Sequence, residues 1–289
     1  MHAQHASEIF GLHDERRAVL EMTGAHGRAV LQDVVTNDVE KAVPGSAVYA
    51  ALLTPQGKYL FDFFLVDAGD RILIDTLADR APALAQRLRM YCLRRDAAIA
   101  LREDLAVVLL WSSDNAPIAD RMEGVDPPQT NAVPDPRDAA LGWRIVTGNP
   151  DAVLANVTAA GQAEHDALRI TRLVPESGVE LVPDDTYILE AGFERLNGVD
   201  FRKGCYVGQE VTARMKHKTT LRKGLVRVTV QGDAAPGTPI TVAGNPAGTL
   251  FSTHGGAGLA HLRLDRAGAG MIAGEATVTY EAERAEAEG

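Results

Sequence analysis

The chain has 289 residues, a formal net charge of −10, and a composition that is 46% hydrophobic and 24% charged. This length allows two or three domains with a substantial core, and no run approaches the roughly 20 apolar residues that a membrane helix needs. Residues 1–8 lack the basic and apolar regions of a signal peptide, and the two cysteines form no chelating cluster. We therefore expect a cytoplasmic protein, and the net acidity argues against one that coats nucleic acid.

Apolar spacing in the first 111 residues predicts an α+β unit with an antiparallel sheet. Residues 47–53 and 59–66 are two strand-like runs, and the loop 54–58 between them is typical of a hairpin. The other predicted elements of this unit are strands at 17–24, 71–76, 97–101 and 105–111 and helices at 25–35 and 78–91.

The second half of the chain changes character at residue 221. Before it, a proline-rich loop at 126–138, a strand at 142–146 and helices at 151–160 and 163–173 are predicted. After it, short strands alternate with Gly, Pro and Asn turns, which is typical of a small β-barrel. The predicted barrel strands are 224–230, 239–243, 248–252, 258–262 and 276–280, and the charged residues 281–289 are expected to fray.

Residues 202–227, called the basic segment below, carry eight Lys or Arg and one acid, Glu210, in an otherwise acidic chain. A helix beginning near Gly208 would place Cys205 just ahead of its N-terminus and beside Lys203. The helix field and the neighbouring cations would both favour the thiolate over the thiol. The same helix would place Glu210 and Arg214 at the spacing that favours an ion pair.

A cysteine can also be a small packing residue, and that is the usual role of an unpaired one. The flanking glycines, the lysine and the local charge favour a reactive thiol at Cys205, whereas Cys92, inside a helical run, is interpreted as packing. Asp62 and Asp75 interrupt apolar strands, and the sequence leaves open whether they face solvent or a pocket. The glycines at 256–258 lack a third glycine and a following helix, so we exclude a dinucleotide loop.

Residues 203–210, Lys-Gly-Cys-Tyr-Val-Gly-Gln-Glu, with Arg214 four positions on, resemble the K-G-C-[FY]-x-G-Q-E-x-x-x-R signature of the YgfZ family. These are folate-binding proteins related to the glycine-cleavage T-protein, and their mitochondrial relatives assist iron–sulfur assembly. The resemblance extends to residues 23–39, 51–62 and 87–94.

The resemblance implies an α+β fold with two interleaved lobes around a central folate site and a C-terminal β-barrel. The implied bounds are 1–220 for the folate-binding region, roughly 46–140 for its second lobe, and 221–289 for the barrel. The family's functional pair maps onto Cys205 and Lys203. The residues expected to contact tetrahydrofolate are Gly204, Tyr206, Gly208, Gln209, Glu210 and Arg214, with Lys203 and Arg214 forming a cationic rim for its anionic tail.

The implied function is support of the assembly or repair of iron–sulfur enzymes, including tRNA-thiolating ones. Cys205 would either ligate a transient cluster shared with a partner protein or act as a nucleophile or redox thiol on a folate-borne one-carbon unit. The alternative is a tetrahydrofolate-dependent aminomethyltransferase of the glycine-cleavage type. A third candidate, a tRNA-contacting module, is disfavoured by the total charge and by the single aromatic residue, Tyr206, in the basic segment. The expected partners are folate and iron–sulfur assembly or client proteins, without a membrane or stable nucleic-acid binding.

Overall fold

The computed structural model describes residues 8–118, 131–217 and 221–280. The body of the protein precedes the barrel, and in the described residues it contains ten strands and five α-helices. In chain order these are β1 Ile9–His13, β2 Arg17–Thr23, α1 Gly27–Val34, β3 Ala47–Leu53, β4 Tyr59–Asp67, β5 Ile72–Leu77, α2 Ala81–Cys92, β6 Ala98–Arg102, β7 Ala106–Ser112, β8 Asn131–Pro134, β9 Trp143–Thr147, α3 Pro150–Leu154, β10 Thr158–Ala159, α4 Gln162–Thr171 and α5 Gln209–His217.

The body contains two five-stranded sheets whose strands interleave along the chain. One has the order β3-β4-β5-β2-β6 and the other β10-β1-β7-β9-β8, so that the consecutive strands β1 and β2 belong to different sheets. Tyr49 and Phe64 of the first sheet and Leu109 and Trp111 of the second lie in one buried cluster. The main core therefore lies between the sheets, while α1 and α2 cover the other face of the first sheet.

Residues 223–279 form a closed six-stranded barrel, as the turn-rich pattern predicted. Its strands are β11 Lys223–Gln231, β12 Thr238–Val242, β13 Asn245–His254, β14 Ala257–Arg263, β15 Met271–Ala273 and β16 Ala276–Thr279, in the order β11-β14-β13-β12-β15-β16. The α+β fold class with a C-terminal barrel is confirmed. The three-residue strand β15 escaped prediction because it is too short to show alternation.

A buried polar joint holds the barrel against the body. Arg169 of α4 donates through Nη2 to the Ser252 hydroxyl of β13 (2.7 Å) and through Nη1 to Glu180 (3.1 Å), and the Ser252 amide donates to the same carboxylate (3.3 Å). All three residues are buried. Because each polar group finds a partner across the joint, barrel and body are held in one orientation.

Most predicted elements of the body agree with the structure. The predicted helix at 151–160 is shorter, since α3 ends at Leu154 and residues 158–159 pair in parallel with β1. Part of the predicted proline-rich loop forms β8, while residues 126–130 of that loop, and the predicted frayed end 281–289, lie outside the described residues. No helix in the described part of the chain is long and apolar enough to cross a membrane.

Candidate functional site around Cys205

Lys203 is buried and points into the C-terminal end of α1. Its Nζ donates to the carbonyl oxygens of Gln32 (2.7 Å) and Val35 (2.5 Å), which are left without helical partners at the end of α1. Burial lowers the pKa of this ammonium to about 8, although Asp38 and nearby acids act in the opposite direction. Lys203, predicted as a catalytic and rim residue, thus holds the segment that carries Cys205 onto the body.

Cys205 is exposed, and so is its neighbour Gly204. A Cβ atom on Gly204 would meet no protein atom within 4 Å, so this glycine is not required by packing. The predicted helix is present as α5 but begins at Gln209, four residues after the cysteine. Cys205 therefore lies on an exposed loop between an anchored lysine and a helix.

Gly208 fixes the other side of this loop. Its backbone has a φ of +82°, and a Cβ atom there would lie 2.6 Å from the carbonyl oxygen of Thr54. Thr54 begins the turn between β3 and β4, the loop that the sequence predicted as a hairpin. Only glycine allows this approach together with a left-handed backbone, so the conformation of the cysteine loop depends on that turn.

The remaining predicted folate residues lie in different surroundings. Tyr206 is buried in the main core, where burial raises the pKa of its hydroxyl. Gln209 is half-buried, while Glu210 and Arg214 are exposed and form the predicted i,i+4 ion pair at 2.9 Å. The buried side chain of α5 is Thr212. The motif residues therefore lie in one segment of the chain but differ widely in burial.

A cluster of hydroxyl groups surrounds Asp62 between the two sheets. The Tyr49 and Tyr59 hydroxyls donate to its two carboxylate oxygens at 2.9 and 2.7 Å, and the Ser177 hydroxyl donates to one of them. Asp62 is almost completely buried. The solvent-facing interpretation that the sequence left open is thus excluded for this residue.

Asp75 is likewise buried, in a chain of ion pairs. Arg17 Nε lies 2.6 Å from one carboxylate oxygen and Arg144 Nη2 lies 2.6 Å from the other, while Arg144 Nη1 also reaches Asp135 at 3.1 Å. Burial alone would raise the pKa of Asp135, but the charges of Arg137 and Arg144 hold it well below its usual range. Arg144 of β9 therefore links the two sheets through Asp75 of β5 and also pairs with Asp135, which follows β8 of its own sheet.

Glu176 is a further acid whose side chain is largely buried, and it lies near four arginines. Burial raises the pKa of its carboxyl group, against the opposing charges of Arg169, Arg16, Arg17 and Arg137. Sequence reasoning missed this residue and the Asp62 cluster. The sequence contained one signal, the two acids Asp62 and Asp75 within apolar strands. This signal did not identify the residues that pair with them, because those residues come from distant parts of the chain.

Within residues 8–118, 131–217 and 221–280, no three His, Cys, Asp or Glu side chains are grouped so that they could hold a metal ion. Cys92 is buried in α2, as predicted, and burial raises the pKa of its thiol. Cys205 is consequently the exposed thiol of the described structure, and it belongs to no such group.

Comparison with known proteins identifies the fold of the chain and the family to which it belongs. Residues 222–284 match the family described as the CAF17 C-terminal beta-barrel domain. The whole fold is similar to glycine cleavage system aminomethyltransferase T from Bartonella henselae, with a TM-score of 0.73 over 95% of this chain and 86% of that one. The two sequences are 16% identical, so this likeness shows the fold alone.

The mouse iron–sulfur cluster assembly factor IBA57, mitochondrial, is 30% identical over 276 residues, which are 86% of this chain and 76% of the mouse protein. The chain belongs to the IBA57 family. Human IBA57 is 29% identical over 85% of this chain and 75% of the human protein, and the Neurospora crassa homologue is 30% identical over 73% of this chain. The chain covers about half the length of the Neurospora protein, 51%.

Membership of the IBA57 family corrects one prediction and leaves another standing. The cytoplasmic location is contradicted, because these IBA57 relatives are mitochondrial proteins. The expectation failed because it rested on the lack of a secretory signal. The lack of such a signal argues against secretion, but it does not distinguish the cytoplasm from the mitochondrion. The narrower YgfZ assignment, based on residues 203–210, stays a prediction.

Proposed function

We propose that this IBA57-family chain supports iron–sulfur cluster assembly by presenting Cys205 as a thiolate ligand to a cluster that a partner protein also holds. The observation that carries the proposal is the placement of Cys205. Its side chain is exposed, on a loop anchored on one side by Lys203 and on the other by Gly208. A ligand held on a fixed loop loses little conformational entropy when it meets a cluster.

We infer a shared cluster from the number of ligands that an iron–sulfur cluster needs. Iron–sulfur clusters generally take about four protein ligands, and the described residues contribute one exposed cysteine that belongs to no group of three or more metal-binding side chains. The other ligands would come from the assembly or client protein. Arg202 is exposed close to Cys205 along the chain, and its charge would favour the approach of an anionic thiolate cluster.

The alternative role of Cys205, a nucleophile acting on a folate-borne carbon, receives less support. Such a thiol is activated by a base within hydrogen-bonding reach. Lys203 was the predicted neighbour for this role, but its Nζ donates to the carbonyls of Gln32 and Val35. A ligand role requires no such base.

Tetrahydrofolate binding is a further proposal, and it rests on the sequence motif. The cleft beside Tyr49 holds about 270 Å³ and is lined also by Asn37, Lys41 and Asn197. Small-molecule sites commonly hold about 300–1,000 Å³. This cleft lies just below that range, so we derive no step through folate. Calorimetric titration with tetrahydrofolate, for the native chain and for Cys205→Ser, tests the proposal. Saturable binding in both would establish a site separate from the thiol, and absence of heat in both would remove folate.

The assembly role is tested in cells whose own copy is replaced by a variant. Cys205→Ser should lower the activity of iron–sulfur enzymes, among which we propose tRNA-thiolating enzymes, while enzymes without clusters stay unchanged. Cys92→Ser is the matched control, because it removes the buried thiol. Full activity of iron–sulfur enzymes with Cys205→Ser would contradict the proposal. The aminomethyltransferase alternative has the shared fold in its favour and stays a prediction.

A further inference from the structure

Strand β6 forms one edge of the first sheet. Among the described residues it pairs with β2 on one side and with no strand on the other. Such an edge presents unpaired backbone N–H and C=O groups, which another strand can bind. Ala98, Ala100 and Leu101 of this strand are exposed, so the edge is open to a further strand.

The other sheet edges of the body are less suited to pairing. β3, at the opposite edge of the same sheet, is buried along its whole length. In the second sheet, β10 has two residues, and β8 has four and ends in Pro134, which has no backbone N–H to donate. Residues 98–101 of β6 include no proline and no charge, although proteins commonly use both to block edge pairing.

The residues on the two sides of this uncharged stretch have opposite net charges. Residues 94–96 are Arg, Arg and Asp, which sum to +1, and residues 102–104 are Arg, Glu and Asp, which sum to −1. If two copies of β6 pair antiparallel, residues 94–96 of each copy lie beside residues 102–104 of the other. Opposite charges facing each other across strands are stabilising, so the segment is complementary to a second copy of itself.

One register of this pairing matches every charge with an opposite one. A two-fold axis perpendicular to the sheet places one residue opposite its own copy, and in this register that residue is Ile99. The facing pairs are then Arg94 with Asp104, Arg95 with Glu103, and Asp96 with Arg102. All of them lie at or beyond the ends of the uncharged stretch, so they contribute mainly through their charges and leave the backbone ladder to residues 98–102.

The neighbouring registers bring like charges together. With the axis one residue earlier, Arg94 would face Arg102, and with the axis one residue later, Asp96 would face Asp104. Like charges directly opposite each other are destabilising. The charge pattern therefore selects the register centred on Ile99.

The side chains that the register needs are available. Within the described residues, Arg94 and Glu103 are exposed and have no hydrogen bond or ion pair. Arg95 bonds Asp33 at 2.7 Å, but both side chains are about half exposed, and such a surface pair contributes little to stability. Arg95 can therefore exchange Asp33 for Glu103 of a second copy at little cost.

Exposed apolar side chains lie beside the same edge. Ile99 packs in the core cluster that includes the buried face of α2, and Leu101, two residues further on, faces the same side of the sheet. Leu101 is 44% exposed, and Leu93, directly after α2, is 73% exposed. Because the two-fold axis keeps both copies of α2 on one face of the sheet, a second copy would cover part of this apolar surface.

We propose that the chain forms a two-fold dimer in which the β6 strands of two copies pair antiparallel around Ile99. The first sheets of the two copies then form one continuous sheet. A pairing of five residues buries less than the roughly 1,200–2,000 Å² of a stable interface, so the dimer should dissociate on dilution. The loop that carries Cys205 contacts the turn after β3, the opposite edge strand, so both thiols stay exposed in the dimer.

Sedimentation velocity of the full chain over a range of concentrations measures the monomer–dimer equilibrium. Glu103→Arg places two arginines opposite each other at each end of the pairing, so the Kd of the dimer should rise roughly tenfold or more. Arg95→Glu places two glutamates there and should have the same effect. Glu40→Arg is the matched control, because Glu40 is exposed and lies in the segment before β3. It makes the same change of charge far from β6, and its Kd should equal that of the native chain.

Mixing the two variants tests the register and controls for their folding. A mixed dimer of Arg95→Glu with Glu103→Arg has an attractive pair at both ends, whereas each variant alone has a repulsive one. The mixture should therefore recover a dimer with nearly the native Kd. A native chain that stays monomeric at every concentration would overturn the proposal and would leave the β6 edge for another protein. Native-like dimers of Glu103→Arg alone, or a mixture that stays monomeric, would also overturn it.

Discussion

Gly57 and Gly208 lie against each other where the turn between β3 and β4 meets the start of α5. A Cβ atom on Gly208 would lie 3.1 Å from the Gly57 Cα, and one on Gly57 would lie 3.2 Å from the Gly208 carbonyl oxygen. Both backbones are left-handed, with φ of +76° and +82°. This contact joins two segments about 150 residues apart and holds one side of the loop that presents Cys205.

Gly208→Ala should therefore lower the free energy of unfolding by about 1–3 kcal/mol, because a methyl group would meet the Thr54 carbonyl and strain the backbone. Gly204→Ala is the control, since the space beside Gly204 is open. Urea denaturation of both variants measures the difference. Equal stability of the two would show that the glycine contact is not required.

Lys203→Met should lower stability, because the carbonyls of Gln32 and Val35 would lose a buried donor. A loss of about 1–3 kcal/mol is expected from leaving such groups unpaired. Lys41→Met is a suitable comparison, since Lys41 pairs with Asp200 at the exposed surface and should contribute less than about 1 kcal/mol. A Lys203→Met variant as stable as Lys41→Met would contradict the anchoring role.

The same lysine predicts a pH dependence. Burial lowers its pKa from 10.5 to about 8 in the folded chain, so between these values the unfolded chain binds more protons. The contribution of Lys203 to stability should therefore be least favourable below pH 8 and should rise as the pH increases toward 10.5. Urea denaturation from pH 7 to 10 should show this rise for the native chain relative to Lys203→Met. A constant difference between the two across this range would contradict the shifted pKa.

Arg144→Met should destabilise the body by about 3–5 kcal/mol, because it leaves the buried carboxylates of Asp75 and Asp135 with fewer partners. Arg71→Met is the control. Arg71 also bonds two acids, Glu21 and Asp70, but its side chain is 37% exposed against 4% for Arg144. Thermal and urea denaturation should separate the two variants, and similar losses would show that burial of the Arg144 pairs has little effect.

The sequence predicted those features that depend on local pattern. The hairpin at 54–58, the helices α1, α2 and α4 and the turn-rich barrel follow from apolar spacing and from glycine and proline positions. The start of α5 near Gly208 was also predicted, together with the Glu210–Arg214 pair. The local sequence of each of these elements favours its conformation, so a single sequence is enough to predict them.

Features that depend on distant partners could not be predicted in the same way. Lys203 was placed beside the thiol because it is two residues away, but its ammonium lies at the end of α1, which is about 170 residues earlier in the chain. Asp62 and Asp75 were left open because Ser177 and Arg144 approach them only in the folded protein. Burial of a charge depends on such tertiary pairing, and sequence spacing does not reveal it.

The exposure of Cys205 predicts a difference in thiol reactivity. With iodoacetamide near pH 7.5, Cys205 should react roughly tenfold faster or more than Cys92, which is buried and whose pKa is raised by burial. Mass spectrometry of the two cysteine peptides over time gives both rates. Comparable rates for the two thiols would contradict the described position of Cys205.

Iron-dependent protection of Cys205 is the most direct test of its role as a cluster ligand. Cells expressing the chain are lysed without oxygen, with and without prior iron depletion, and the alkylation of both cysteines is compared. The account predicts that Cys205 is protected in iron-replete extracts and becomes reactive after iron depletion, while Cys92 does not change. Equal alkylation of Cys205 under both conditions would contradict the proposal that this thiol holds a shared iron–sulfur cluster.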